Sequence, residues 1–239
     1  MTSEHTVKAF DTDLRELTQL LAEMGGLVER QITDVIDALV KRHIELARRV
    51  IASDVNVDAL QREIEDKSVI TLARRQPMAS DLRDIIAILR AANDLERIGD
   101  LAKNIAKRTV VLDDPFAAGK TIHGISRMAA LVLARLALAL DSFSQRDVGR
   151  ALEVWKQDEE IDAYCASLFQ ELLTSLFKDP ATATSGIHLL FCAKNIERMG
   201  DHATNIAEAV HYMVEGRALT MERPKHEFTN SLMAPAYTA

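Results

Sequence analysis

The chain has 239 residues, 48% of them apolar but only 5% aromatic, and a formal net charge of −7. That length accommodates one large domain or two small ones around a substantial core. The acidic balance argues against nucleic acid as the main partner, because neutralising phosphates needs a basic surface; cations or a basic protein surface suit it better.

The opening Met1-Thr2-Ser3-Glu4-His5 has neither a basic n-region nor an apolar h-region, so no signal peptide is expected. From there apolar residues recur at spacings of three and four, and no segment alternates with the period of a strand. Leu14, Leu17, Leu21, Met24, Val28, Ile32 and Val35 form the stripe of a first helix over 7–42. Further helices are predicted over 44–75, 79–111, 120–144, 147–178 and 183–215. The prolines punctuate them: Pro77 and Pro180 before a helix, Pro115 and Pro224 after one, Pro235 in the tail. The run Met128–Leu140 is broken by Arg135 and is shorter than the roughly 20 residues a bilayer requires. Apolar nearly all round, it reads as a helix enclosed within a bundle. Cys165 and Cys192 form no CxxC pair and are expected as half-buried free thiols in a reducing cytosol.

One polar pattern occurs twice. Glu96-Arg97-Ile98-Gly99-Asp100-Leu101-Ala102-Lys103-Asn104-Ile105-Ala106 returns 101 residues later as Glu197-Arg198-Met199-Gly200-Asp201-His202-Ala203-Thr204-Asn205-Ile206-Ala207. A shift of 104 aligns the helices before it, placing Met24 on Met128, Val28 on Val132, Asp54 on Asp158 and Asp58 on Asp162. Such a repeat signals two copies of one unit. The expected fold is all-α: two tandem, similar three-helix bundles, 7–115 and 118–217, followed by a loose tail over 223–239.

The repeated residues are not core formers. Glu96, Asp100 and Asn104 stand at i, i+4 and i+8 and share one helix face; Leu95, Ile98, Ala102 and Ile105 mark the opposite, core face. Glu197, Asp201 and Asn205 repeat this opposite Ile196, Met199, Ala203 and Ile206. Like charges at i and i+4 repel, and Gly99 and Gly200 each weaken a helix interior. Glycine there predicts close approach of a neighbouring helix, and the carboxylates predict a compensating cation. Asp54, Asp58, Asp158 and Asp162 on the preceding helices are placed to lean toward the motif. Oxygen ligands from two helices suit Mg, Mn, Fe or Zn. Arg97 and Arg198 offer neutralisation by salt bridges instead. His202 is read as a packed, hydrogen-bonded histidine. The single Glu-x-x-His, Glu208 to His211, is too little for a di-iron bundle site.

These segments resemble the PhoU family of bacterial phosphate-signalling regulators. The resemblance covers about residues 7–217. It rests on Arg75-Gln76-Pro77-Met78-Ala79-Ser80-Asp81-Leu82-Arg83, followed by Asp94-Leu95-Glu96-Arg97-Ile98-Gly99-Asp100, and on Ile196-Glu197-Arg198-Met199-Gly200-Asp201-His202-Ala203-Thr204-Asn205-Ile206. It implies ExxxD motifs that bind metal ions or clusters: Glu96 and Asp100, then Glu197 and Asp201. It also implies a negative regulator of the phosphate regulon, linking the phosphate ABC transporter and its ATPase to a sensor histidine kinase. The family's members are often dimers. The setting would be cytoplasmic, peripheral to the inner membrane through partners and not inserted in it. The second half departs from the pattern: Lys178-Asp179-Pro180 stands where the Arg-Gln-Pro lead-in would be. Arg75 and Arg83 are candidates for partner contact, or for helix-end caps and salt bridges.

Two function classes remain at this point. A non-enzymatic adaptor accounts for the absence of nucleophile, Gly-rich phosphate loop and HExxH motifs. A metal-dependent hydrolase or oxidase would use the carboxylates to activate water. It would need a bounded pocket, whereas the motif faces are expected to be convex and solvated.

Overall fold

The structure, a computed structural model, describes residues 2–112, 119–178 and 183–220. It is all-α. Among the described residues the helical segments are α1 (Thr2–Lys41), α2 (Ile44–Arg75), α3 (Ser80–Val111), α4 (Gly119–Gln145), α5 (Val148–Lys156), α6 (Asp158–Lys178) and α7 (Ala183–Glu215). Residues 113–118 between the two expected bundles, the 223–239 tail, and Pro115, Pro180, Pro224 and Pro235 lie outside the described residues.

Two three-helix bundles stand in tandem. α1, α2 and α3 pack on one another; α4, the α5–α6 pair and α7 repeat the arrangement. The bundles join chiefly along α3 and α7, with α1 against α4 as a second seam. Arg83 meets the end of α7 at Met213, Asp94 meets His202, and Arg108 meets His188, so the two motif helices run antiparallel. The core is built from the predicted stripes: Leu17, Met24, Val28, Ile32 and Val35 of α1 are fully buried, as are Leu95, Ile98, Ala102 and Ile105 of α3.

The repeat extends to the turns. α1 ends with Arg42 in the left-handed region at φ 56°, and α4 ends with Arg146 at φ 55°. In both turns the following residue donates its N–H back five positions, His43 to Ala38 and Asp147 to Ser142, each at 2.9 Å. This closes the orphan carbonyls of the last turn. Arginine rather than glycine takes the left-handed position because its side chain finds partners elsewhere: Arg42 bonds the Leu112 carbonyl and Arg146 bonds Asp84 of α3.

Two expectations require correction. The helix predicted over 147–178 is interrupted at Gln157, dividing it into α5 and α6. Asp158, Glu159 and Glu160 follow the break, and three acids in succession suit the positive end of a new helix. The apolar run in α4 is not enclosed all round. Ile125, Met128, Val132, Leu136 and Ala139 form one buried stripe, while Leu131, Leu133, Leu138 and Leu140 are only partly covered. By length and composition alone Thr121–Gln145 is long and apolar enough to cross a membrane. Its buried stripe is nevertheless committed to the bundle, and its Arg135 pairs with Glu160 at 2.7 Å.

Candidate functional site

The first acidic cluster lies where α2 meets α3. Gly99 permits the approach: a Cβ there would stand 3.1 Å from Gln31 Oε1 and 3.4 Å from Asp54 Oδ1. Asp54 is thereby buried, and the Lys103 ammonium donates to its Oδ2 at 2.6 Å. The same ammonium reaches Asp100 Oδ1 at 3.3 Å. For Asp54 and Asp100 a lysine of the motif itself supplies a compensating cation. The Asp54 hydrogen bond is the main reason the Lys103 pKa is raised.

Glu96 is less solvated than its helix position suggested. Its side chain is 16% exposed, and Oε2 is buried without a hydrogen bond, with only a loose contact of 3.4 Å to Arg97 Nε. Burial pushes its pKa above the ordinary 4.5; Arg97 opposes the rise, while Asp100, Asp58 and Asp54 add to it. The expectation of a convex, solvated stripe is corrected here: the helix packs against α2 closely enough to cover the glutamate.

The second cluster has the same frame and different partners. Asp158 is again buried, but position 204 is threonine where the first half has Lys103, and its hydroxyl donates to Asp158 Oδ1 at 2.9 Å. Glu197 pairs with Lys194 at 2.6 Å, and its Oε2 is also buried without a hydrogen bond. Asp162 and Asp201 are half-buried beside it. Gly200 serves α6 and α4, since a Cβ would stand 3.0 Å from Ile161 and 3.7 Å from Val132.

These residues do not fit a resident metal as they stand. Among the described residues no three His, Cys, Asp or Glu side chains form a group able to hold one. The first cluster carries its own ammonium, and in the second Lys194 holds one oxygen of Glu197. The Glu208–His211 pair is dispersed: Trp155 Nε1 donates to Glu208 at 3.2 Å, and His211 Nδ1 lies 3.1 Å from the Arg217 carbonyl. His202 bonds Asp94 across the bundle junction at 2.8 Å, the packed histidine expected; Asn205 donates to the same carboxylate at 3.2 Å.

The two lead-in arginines make contacts within the chain. Arg75 pairs with Asp13 of α1 at 2.8 Å. Arg83 Nε faces the Met213 carbonyl at 3.5 Å, and its guanidinium lies over Gly216, beyond the end of α7. Between them the chain turns through Gln76 at φ 48° and Ala79 at φ 50°, leaving Met78 79% exposed.

One feature of the surface was not anticipated. An apolar groove of about 440 Å³ runs between α6 and α7, walled by Cys165, Phe169, Ile187 and Phe191, with Asp162, Lys194 and Glu197 at one end. Phe191 is 50% exposed and Ile187 47%. The Arg108 guanidinium sits 4.1 Å from the Phe191 ring centre and steadies it by cation–π attraction. Burial pushes the Cys165 thiol up to about 12, so it lines the groove as an apolar group and not as a thiolate. Its walls come from two helices, so no single-helix pattern could reveal it; the exposed Phe191 was the available signal.

The repeat, the pairing of the motif helices and the doubled acidic frame can now be set against known proteins. The PhoU domain profile matches residues 21–109 and again 125–210. The chain belongs to the PhoU family. A PhoU homolog from Rhizobium meliloti, described as a phosphate-specific transport system accessory protein, is 47% identical over 97% of this chain and 98% of its own length. One from Caulobacter vibrioides with the same description is 46% identical over 93% and 97%. The crystal structure of PhoU from Pseudomonas aeruginosa aligns with TM-score 0.82 at 36% identity, over 87% of this chain and all of that one. The PhoU matches thus cover both bundles.

Proposed function

We propose that this chain is a non-catalytic negative regulator of phosphate-starvation genes, an adaptor between a phosphate ABC transporter and a sensor histidine kinase at the cytoplasmic face. The observation that carries the reading is full-length kinship with phosphate-transport accessory proteins. The site geometry supports it. Each acidic cluster is held by internal partners, Lys103 in one and Thr204 and Lys194 in the other. An adaptor needs only differential binding, because it shifts a kinase between states by binding one of them more tightly. The alternative of a metal-dependent hydrolase or oxidase requires convergent ligands that these clusters do not offer.

Deleting the gene is expected to leave phosphate-starvation genes expressed in high phosphate, and restoring the wild-type chain to silence them. Co-purification should recover the transporter ATPase or the kinase. If the deletion strain represses normally and neither partner is recovered, the reading is wrong.

A further inference from the structure

We propose that the α6–α7 groove is a docking site for one amphipathic helix of a partner protein. That helix carries two apolar side chains a turn apart and a Lys or Arg beyond them. The proposal rests on the regulatory reading only for the existence of such a partner.

The shape favours a helix. From Ile187 to Glu197 the floor follows ten residues of α7, about 15 Å at helical rise. A partner helix recognised this way uses anchors at i, i+3 or i+4, and i+7. Phe169, Ile187 and Phe191 supply the apolar wall, and Arg108 holds the exposed Phe191 ring in place before anything binds. An open apolar surface already in position lowers the ordering cost of association.

The charge selects the occupant. Asp162, Lys194 and Glu197 stand together at one end, and Lys194 bonds Glu197 through Oε1 alone. Glu197 Oε2 is buried without a hydrogen bond. The Glu197 side chain keeps 13% of its surface open, so the carboxylate can be shared between Lys194 and an incoming Lys or Arg. An acidic helix would meet repulsion at the same place.

Comparison of the halves shows that the groove is no by-product of the repeat. In the first half Asp58 and Glu96 keep the places of Asp162 and Glu197, but Glu65 stands for Phe169, Arg90 for Phe191 and Gln61 for Cys165. The acidic frame and one apolar position, Ile86 for Ile187, are common to both halves; the aromatic wall belongs to the second alone.

The test uses the full chain and fluorescent 20-residue peptides tiling the cytoplasmic parts of the organism's phosphate transporter and sensor kinase. Anisotropy is read for wild type, Phe191→Arg, Phe191→Ala and Glu197→Gln, with circular dichroism confirming that each is folded. At least one peptide with an apolar pair and a basic residue should bind. Phe191→Arg and Phe191→Ala should each weaken it tenfold or more. Glu197→Gln should weaken it and flatten its salt dependence, and replacing the peptide's Lys or Arg by Glu should abolish binding. No binding peptide, or one indifferent to both Phe191 variants, overturns the proposal. So does a Phe191→Arg chain that changes only its own oligomeric state, which would make the groove a self-contact. Phe191→Arg should also relieve repression in cells. If deletion derepresses while Phe191→Arg represses normally, the groove fails and the regulatory reading stands; if deletion has no effect, the regulatory reading fails whatever the peptides do.

Discussion

Lys103 Nζ lies 2.6 Å from Asp54 Oδ2, joining α3 to α2 through a carboxylate that is buried from solvent. The ammonium also touches Asp100, so one lysine answers both the buried acid and the i, i+4 neighbour of Glu96. Removing it as Lys103→Met leaves Asp54 buried and uncompensated, which costs about 1–3 kcal/mol. The raised Lys103 pKa sets the pH window. A lysine whose folded pKa exceeds the unfolded value contributes fully below about 10.5 and loses that contribution as pH climbs through the folded value. Urea unfolding should therefore show a constant gap between wild type and Lys103→Met from neutral pH to about pH 10, closing only above it. Adding Asp54→Asn should recover part of the loss, and a gap below about 0.5 kcal/mol would show that the pair does not hold α2 to α3.

Glu96 has the opposite linkage. Burial, with Asp100, Asp58 and Asp54 behind it, raises its pKa above 4.5. Below that value the group is protonated in both states and carries no penalty; the penalty grows as pH rises through 4.5 and is complete above the raised folded value. Glu96→Gln is expected to stabilise the chain at neutral pH, with at least a few tenths of a kcal/mol from relieved i, i+4 repulsion. The advantage should vanish below about pH 4. Chemical unfolding at a series of pH values checks this, and a variant less stable than wild type at pH 7 would mean that the carboxylate has a favourable partner.

Much of this was legible before the structure. Period and repeat are properties of one helix at a time, so the stripe of Leu17, Met24 and Val28, the doubled motif, and the lean of Asp54 and Asp158 toward it could be read directly. The close approach predicted by Gly99 and Gly200 is present, because a missing side chain in a helix interior has few other uses. Pairings between helices were not legible. Lys103 meets Asp54 only because of the register between α2 and α3, and nothing local distinguishes that lysine from a solvated one. Face arguments placed Glu96 opposite Ile98 but could not say how closely α2 would cover it. The groove needed Phe169 and Phe191 from different helices. The interruption at Gln157 escaped because acids read equally well as a solvated face and as a helix start.

The turn between α2 and α3 contains a backbone mismatch. Ala79 sits at φ 50°, ψ −114°, without a side-chain cap on α3. That region suits glycine; a non-glycine residue there costs about 1–3 kcal/mol. Glycine's extra freedom when unfolded offsets about 0.4–1 kcal/mol of the relief. Ala79→Gly should stabilise the chain by about 0.5–1 kcal/mol, a rise in melting temperature of about 1–4 °C for a protein of this size. Calorimetry decides it, and a lower melting temperature would show that the surroundings of the turn depend on the alanine methyl.

Arg83 was a candidate for partner contact, and the structure places it on its own chain, at the Met213 carbonyl and over Gly216 just past the end of α7. Gly216 has φ +73°, and its N–H bonds the Tyr212 carbonyl, so the turn that ends α7 lies directly beneath the guanidinium. A helix C-terminus carries partial negative charge and favours a cation beside it by about 0.3–1 kcal/mol. Arg83→Glu exchanges that attraction for repulsion and removes the packing over Gly216. The expected loss is about 1–2 kcal/mol by urea unfolding, with faster amide exchange at Tyr212 to Gly216. Arg83→Lys keeps the charge and should lose less than half as much. If Arg83→Glu unfolds like wild type while its association with the transporter or kinase falls, the arginine acts outward and the contact with α7 is incidental. If stability and association fall together, and Arg83→Lys restores both, the arginine acts by fixing the end of α7.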